Sequence, residues 1–173
     1  EKRGSYYLGE KGEFFLLPVI SSLINEFSGK CERKVFIGSS KGGAAALFYG
    51  LYCNANAVII GAPQYYLGDY LTCKEEHVPI MDAIMGGHDE ARVKELNSTL
   101  PLMVRNCNCK ENIKIYLHYS PQETTFLPHI KPMLDDLRTN GYEVVEDVEY
   151  YTSHGDVARF FPEFCKKTIR GMC

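Results

Sequence analysis

Two patterns of apolar positions alternate along the chain: short runs rich in β-branched residues, and longer stretches with apolar residues three and four apart. Within Phe14 to Phe27 the apolar positions 16, 17, 20, 23, 24 and 27 share one helical face. Pro18 stands early in that stretch, where a first turn tolerates it, and Gly29 suits the helix end. Lys34-Val35-Phe36-Ile37-Gly38 reads as a short buried strand, and Ser40 to Leu51, with Ala44, Ala45 and Ala46, as a helix ending near Gly50. A second strand is predicted at Asn56 to Gly61, closed by Ala62-Pro63. Ile113 to Tyr119 gives a third, Phe126 to Asn140 a helix closed by Gly141, Tyr142 to Glu149 a fourth strand, and residues 155 to 170 a last helix. Residues 64 to 110 are less regular, with short helices expected at 67–71, 78–85 and 89–96.

Strand and helix in alternation argue for a parallel sheet with crossover helices on both faces, a three-layer α/β/α core. The 173 residues are enough for one domain, with 64–110 expected as a helical, cap-like insertion. In such sheets chemistry sits on loops at the carboxyl ends of the strands. The informative segments are therefore those after residues 38, 61, 119 and 149.

Composition narrows the function classes. Apolar residues make up 45% and charged residues 24%, an ordinary globular balance that excludes a disordered or collagen-like chain. A net charge of −3 leaves no basic surplus for a phosphate backbone, so nucleic acid is not an expected partner. The longest apolar runs, Phe14 to Leu17 and Val58 to Ile60, fall far short of the roughly 20 residues of a membrane span. Seven scattered cysteines, an odd number, read as reduced thiols and a cytoplasmic location. Cys107-Asn108-Cys109 is a close pair without a second pair at zinc-site spacing, so it reads as a polar loop; no metal or cofactor is expected.

Gly38-Ser39-Ser40-Lys41-Gly42 is a G-x-S-x-G sequence between a strand and a helix, the context a nucleophile elbow requires. A serine on that sharp turn projects its hydroxyl above the sheet. The flanking glycines are expected to keep Cβ atoms off the neighbouring strand and helix. The helix that follows directs its positive end at the site, and the Lys41 N–H becomes an oxyanion donor. A phosphate loop is the competing reading, but neither G-x-x-x-x-G-K-[ST] nor G-x-G-x-x-G is present.

An elbow serine needs a base, and the base an orienting carboxylate. In this chain order the acid comes second and the histidine last. His77 and His88 lie in the irregular middle, His118 inside a strand and His129 at a helix start. His154 follows the last strand directly before the last helix, where the base belongs. Glu123 is the only carboxylate in the loop after the third strand; stabilising the following helix dipole is its other reading, and the two roles are compatible. Asp147, Glu149 and Asp156 read as structural.

Taken together, Ile37-Gly38-Ser39-Ser40-Lys41-Gly42-Gly43-Ala44-Ala45, Gly61-Ala62-Pro63-Gln64-Tyr65, Gly68-Asp69-Tyr70-Leu71, Tyr116-Leu117-His118-Tyr119-Ser120 and the run at 151–157 resemble an α/β-hydrolase subgroup. The chain looks like the acetyltransferase-like component of the bacterial accessory Sec system and related capsular-polysaccharide proteins. That resemblance implies a Ser40, Glu123, His154 triad and an acyl ester or glycan substrate. Tyr65, Tyr66 and Tyr70 have rings suited to stacking on a sugar, or to packing.

A full fold of this kind has about four more strands before the elbow strand, and the second oxyanion donor normally comes from a loop there. Only 33 residues precede Lys34. The chain therefore reads as the C-terminal half of a fuller fold, a reading also drawn from Glu1-Lys2-Arg3-Gly4, and its sheet edge beside 34–38 as a place for oligomer contacts or a missing N-terminal segment. The expected function is serine-dependent ester hydrolysis or O-acyl transfer, acetyl on a glycan being the expected chemistry. The alternative is a non-catalytic hydrolase-like scaffold or binding subunit in polysaccharide synthesis or glycoprotein export.

Overall fold

A computed structural model describes residues 5–29 and 31–172. Glu1 to Gly4, from which a preceding segment was inferred, lie outside the described residues. Four strands, β1 (Val35–Ser39), β2 (Ala57–Gly61), β3 (Lys114–Tyr119) and β4 (Glu143–Val148), form one sheet in the order β1-β2-β3-β4, all parallel. The register aligns Ser39 with Gly61, Gly61 with His118 and Tyr119 with Val148. The carboxyl ends of all four strands therefore share one edge.

Among the described residues seven α-helices accompany the sheet: α1 (Leu16–Ser28), α2 (Lys41–Tyr52), α3 (Leu67–Thr72), α4 (Val78–Met85), α5 (Glu90–Asn106), α6 (Lys131–Thr139) and α7 (Val157–Met172). Side chains alternate across the sheet. Val58, Ile60, Ile115 and Leu117 face a large core shared with α2, α5 and α6, whereas Ile59 faces a smaller one closed by Val157, Phe161 and Phe164 of α7. Each such apolar side chain contributes about 1.5–3 kcal/mol when fully buried. The segment expected as a cap contributes Leu67, Leu71, Met81, Ile84, Leu96, Leu100 and Val104 to the larger core. Its last helix, α5, packs against α3, α2 and α6.

That helix also runs ten residues past the expected end at 96. Pro101 lies inside it. A proline removes one backbone bond and normally ends the pattern, but Leu96, Leu100 and Val104 make a buried stripe at i, i+4 and i+8 that carries the helix through. The helix expected at 126–140 opens with a π-helical turn over Phe126–Ile130 before α6.

The two sheet edges differ in chemistry. β4 carries charge: Glu146 is paired with Arg138, Glu143 with Lys114 and Asp147 with His118. Charges of this kind discourage edge-to-edge pairing. At β1, Val35 and Ile37 are partly exposed on the α7 side. Along the same edge, Ile20 and Ile24 of α1 share a groove with Phe36, Ile37 and Tyr49.

Candidate active site

The turn after β1 is strained. Ser40 has φ 52° and ψ −123°, a left-handed conformation unusual for a residue with a side chain. It is held there from both sides: the Ser40 N–H donates to the Gly61 carbonyl at 2.8 Å, and its carbonyl accepts the Ala44 N–H at 3.1 Å. Gly38 is required, since a Cβ there would stand 2.1 Å from the Gly42 carbonyl oxygen. The second tight glycine is not Gly42, whose Cβ would meet nothing within 4 Å, but Gly43, which would press on Pro63 Cβ at 3.1 Å. Lys41 is the first residue of α2, so its N–H lies at the positive end of that helix. Its ammonium sits over the Tyr7 ring, 5.5 Å from the centroid.

His154 opens a short 3₁₀ turn (His154–Asp156) just ahead of α7. Its Nε2 is 2.8 Å from Ser40 Oγ, and its Nδ1 hydrogen-bonds Glu123 Oε1. The consistent tautomer carries the proton on Nδ1, so that Nε2 accepts from the serine hydroxyl. The structure thus brings Ser40, His154 and Glu123, from three loops, into one hydrogen-bonded line.

The Glu123 side chain is almost completely buried, and its Oε1 also accepts from Thr125 Oγ1 at 2.6 Å. Its Oε2 is buried without a hydrogen-bond partner, the one such side-chain atom among the described residues. A buried carboxylate with incomplete hydrogen bonding is costly on its own. A positive charge forming on His154 would offset that cost.

The loops bearing the acid and the histidine are clipped together. Ser120, fully buried, donates to the Tyr151 carbonyl at 2.6 Å and accepts the Tyr151 N–H at 3.0 Å and the Gln122 N–H at 3.2 Å. Beneath the clip, buried His118 bonds Asp147 through Nδ1 at 2.7 Å and the Tyr151 hydroxyl through Nε2 at 3.3 Å. Phe160, Phe161 and Phe164 of α7 surround that imidazole.

The remaining histidines are occupied elsewhere. His129 is buried and its Nδ1 accepts the Tyr66 N–H at 3.3 Å; burial holds its pKa below the usual imidazole value, with Asp69 opposing. His77 stacks on Tyr70, and His88 pairs with Asp82 at 2.6 Å.

The three tyrosines separate. Tyr65 is fully buried and its hydroxyl donates to Asp136 Oδ2 at 2.7 Å. Burial, then that bond, raises its pKa. Its ring is closed to a ligand, which corrects the expectation of sugar stacking at this position. Tyr66 and Tyr70 are half-buried and pack against the main core.

Gln64 has no role in the sequence reading, yet it touches the serine. It is fully buried; its Nε2 donates to Ser40 Oγ at 3.0 Å and its Oε1 accepts the Tyr6 hydroxyl at 3.4 Å. The available signal was a carboxamide directly behind Gly61-Ala62-Pro63, in one of the loops at the active edge. Among the described residues no group of three or more His, Cys, Asp or Glu is placed to hold a metal ion, and no helix is long and apolar enough to cross a membrane.

No protein-family model and no curated protein matches the chain. Among solved structures it is similar to the capsule O-acetyltransferase of Neisseria meningitidis serogroup A, in a mutant form in complex with CoA. That match has TM-score 0.82 and 21% identity over 95% of this chain and 68% of that one. It is similar to a Glycosylation Associate Protein (Gap123) complex from Streptococcus agalactiae, TM-score 0.80 and 19% identity, over 97% of this chain and 34% of that one. The acylaminoacyl peptidase of Pyrococcus horikoshii follows at TM-score 0.63 and 16% identity, over 90% and 26%. At these identities the likeness is one of fold, and together with the four-stranded parallel sheet it makes this chain an α/β-hydrolase-like core.

Proposed function

We propose that this chain is a serine-dependent acyl-transfer enzyme, an esterase or O-acyltransferase. The observation that carries the reading is the hydrogen-bonded line from Ser40 Oγ through His154 to Glu123, with 2.8 Å between Oγ and Nε2. In the first step Ser40 Oγ bonds to the acyl carbonyl carbon while its proton passes to His154 Nε2. Buried Glu123 orients the imidazole and stabilises its positive charge. The tetrahedral intermediate collapses, the bond to the leaving group breaks, and His154 returns the proton to that group. Water or a hydroxyl then attacks the acyl carbon, giving up its proton to His154; the second tetrahedral intermediate collapses, the bond from the acyl carbon to Ser40 Oγ breaks, and His154 returns the proton to Oγ.

Transfer of acetyl to a glycan hydroxyl is the substrate reading we favour. The fold likeness to a capsule O-acetyltransferase supports it, as does the resemblance carried by the elbow motif. The scattered free thiols suit a reducing compartment such as the cytoplasm. Likeness to a Gap123 complex favours a second reading, a non-catalytic subunit of an assembly. A scaffold has no need of a strained serine aligned with a histidine and a buried carboxylate, so catalysis remains the better account. Labelling with a fluorophosphonate probe followed by peptide mass analysis separates the two. An enzyme is modified at Ser40, and Ser40→Ala and His154→Ala both lose the label. A chain that stays unlabelled while folded is not a serine acyl-transferase.

A further inference from the structure

We infer that Gln64 is a catalytic residue, its side-chain amide supplying the second donor of the oxyanion hole beside the Lys41 N–H. This rests on the serine acyl-transfer reading. The usual second donor comes from a loop ahead of the elbow strand. Here a different group already touches the reacting atom: Gln64 Nε2 is 3.0 Å from Ser40 Oγ.

The amide orientation follows from its partners. Ser40 Oγ has one proton and directs it at His154 Nε2. It can only accept from Gln64, so the nitrogen must face it. Tyr6, whose hydroxyl donates to Gln64 Oε1, holds the other end. Gln64 is fully buried and Tyr6 nearly so. Tyr6 is itself presented by a strained turn: Tyr6 and Tyr7 have φ 54° and 61°, closed by the Leu8 N–H to Ser5 carbonyl bond at 3.1 Å and pinned by Tyr49 hydroxyl to the Tyr7 carbonyl at 2.5 Å. Two successive non-glycine residues in that region are costly, and such strain clusters where a side chain must be held in place.

Chemistry then assigns the amide its task. When Ser40 Oγ bonds to the carbonyl carbon, the π pair moves to the carbonyl oxygen, which becomes an oxyanion one carbon away from Oγ. Nε2 carries two hydrogens, and a donor already in contact with Oγ is within reach of that oxygen. Oγ exchanges its bond to hydrogen for a bond to carbon and stays a neutral, ether-type acceptor, while the carbonyl oxygen takes up a full negative charge and becomes a strong one. The amide is therefore bound more tightly in the transition state than before it. It is also buried, so it acts without competing water.

The test uses the near-isosteric Gln64→Met, which keeps the volume and removes the donor, with Tyr6→Phe as a gentler second variant that leaves Gln64 in place. One readout is turnover of an aryl acetate. The other is a ¹³C-labelled trifluoromethyl ketone, whose Ser40 adduct carries an ionisable hydroxyl where the oxyanion forms, titrated by NMR. Gln64→Met is expected to lower kcat about 100- to 1,000-fold with KM little changed. It should raise the titration midpoint of the adduct by about two to three pH units, the same factor. Tyr6→Phe should move both in the same direction by less. If Gln64 only orients Ser40, adduct formation falls but its midpoint stays put. An unchanged midpoint in both variants, or wild-type kcat in folded Gln64→Met, overturns the inference. Absence of any adduct in the folded wild-type chain overturns the serine reading instead, and the inference with it.

Discussion

One hydroxyl joins two catalytic loops: Ser120 Oγ donates to the Tyr151 carbonyl at 2.6 Å and accepts the Tyr151 N–H at 3.0 Å. Glu123 lies three residues after the serine and His154 three residues after the tyrosine. The clip therefore sets the spacing of acid and base before either side chain is considered. Removing the Oγ in Ser120→Ala leaves a buried carbonyl and a buried N–H unsatisfied. The expected loss is about 1–3 kcal/mol of stability, read as a lower denaturation midpoint at unchanged slope. It should also reduce kcat more than KM, because His154 loses its placement relative to Glu123. A stable Ser120→Ala chain with full activity would show that α7 packing alone positions the histidine loop.

Ser40→Ala and His154→Ala are each expected to abolish turnover of an aryl acetate, and the double variant should be no worse than either, because residues acting as a unit are not additive. Glu123→Gln should cost less than either. His129→Ala should keep turnover, since its imidazole is committed to the Tyr66 N–H. Loss of activity in His129→Ala alone would move the base away from His154.

The glycines of the elbow divide by what surrounds them. Gly38→Ala places a Cβ 2.1 Å from the Gly42 carbonyl oxygen, backbone that cannot yield without moving Ser40. Gly42→Ala meets nothing within 4 Å and, in a helix, gains alanine's better propensity. Thermal melts should show a drop of several degrees for Gly38→Ala and no loss for Gly42→Ala. Equal destabilisation would mean that the strain at Ser40 is borne by the whole turn.

His129 gives stability a pH dependence. Burial lowers its folded pKa below the unfolded value of about 6.5. Below that value the unfolded chain binds more protons than the folded one, so stability is fully present above it and is lost as pH falls towards the folded pKa. Protonation also removes the lone pair that accepts the Tyr66 N–H. A plot of melting temperature against pH should therefore slope down on the acid side of 6.5, and His129→Asn should flatten that limb. An unchanged limb would assign it to other groups.

Tyr65→Phe should separate packing from binding. It removes a buried 2.7 Å bond to Asp136, which costs about 1.5–3 kcal/mol as a hydrogen bond to a charged group. KM should not move, because no ligand reaches the ring. Tyr66→Ala or Tyr70→Ala, at half-buried rings, are the variants in which KM for a glycan acceptor can rise. A KM shift in Tyr65→Phe with unchanged stability would reverse this division.

Sequence alone determined what depends on neighbours along the chain. Short β-branched runs placed β1 to β4, a 3.6-residue apolar period placed α1 and an alanine-rich run α2, and the alternation of strand and helix implied a parallel sheet. Given that sheet, the G-x-S-x-G turn, chain order and the family resemblance pointed to Ser40, Glu123 and His154, because carboxyl-end loops converge whatever their side chains are. The reach of α5 past Pro101 was not legible, since it depends on Leu100 and Val104 finding the core beside α2 and α6. Nor was the fate of the three tyrosines: rings at 65, 66 and 70 look alike in sequence, and only packing of the main core decides that Tyr65 is buried, with Asp136, 71 residues away, receiving its hydroxyl. Gln64 was hidden for the same reason. Its meaning lies in two contacts, to Ser40 at a separation of 24 and to Tyr6 at 58, and a hydrogen bond across that distance is set by how the sheet and the N-terminal turn pack, not by any local preference of a glutamine.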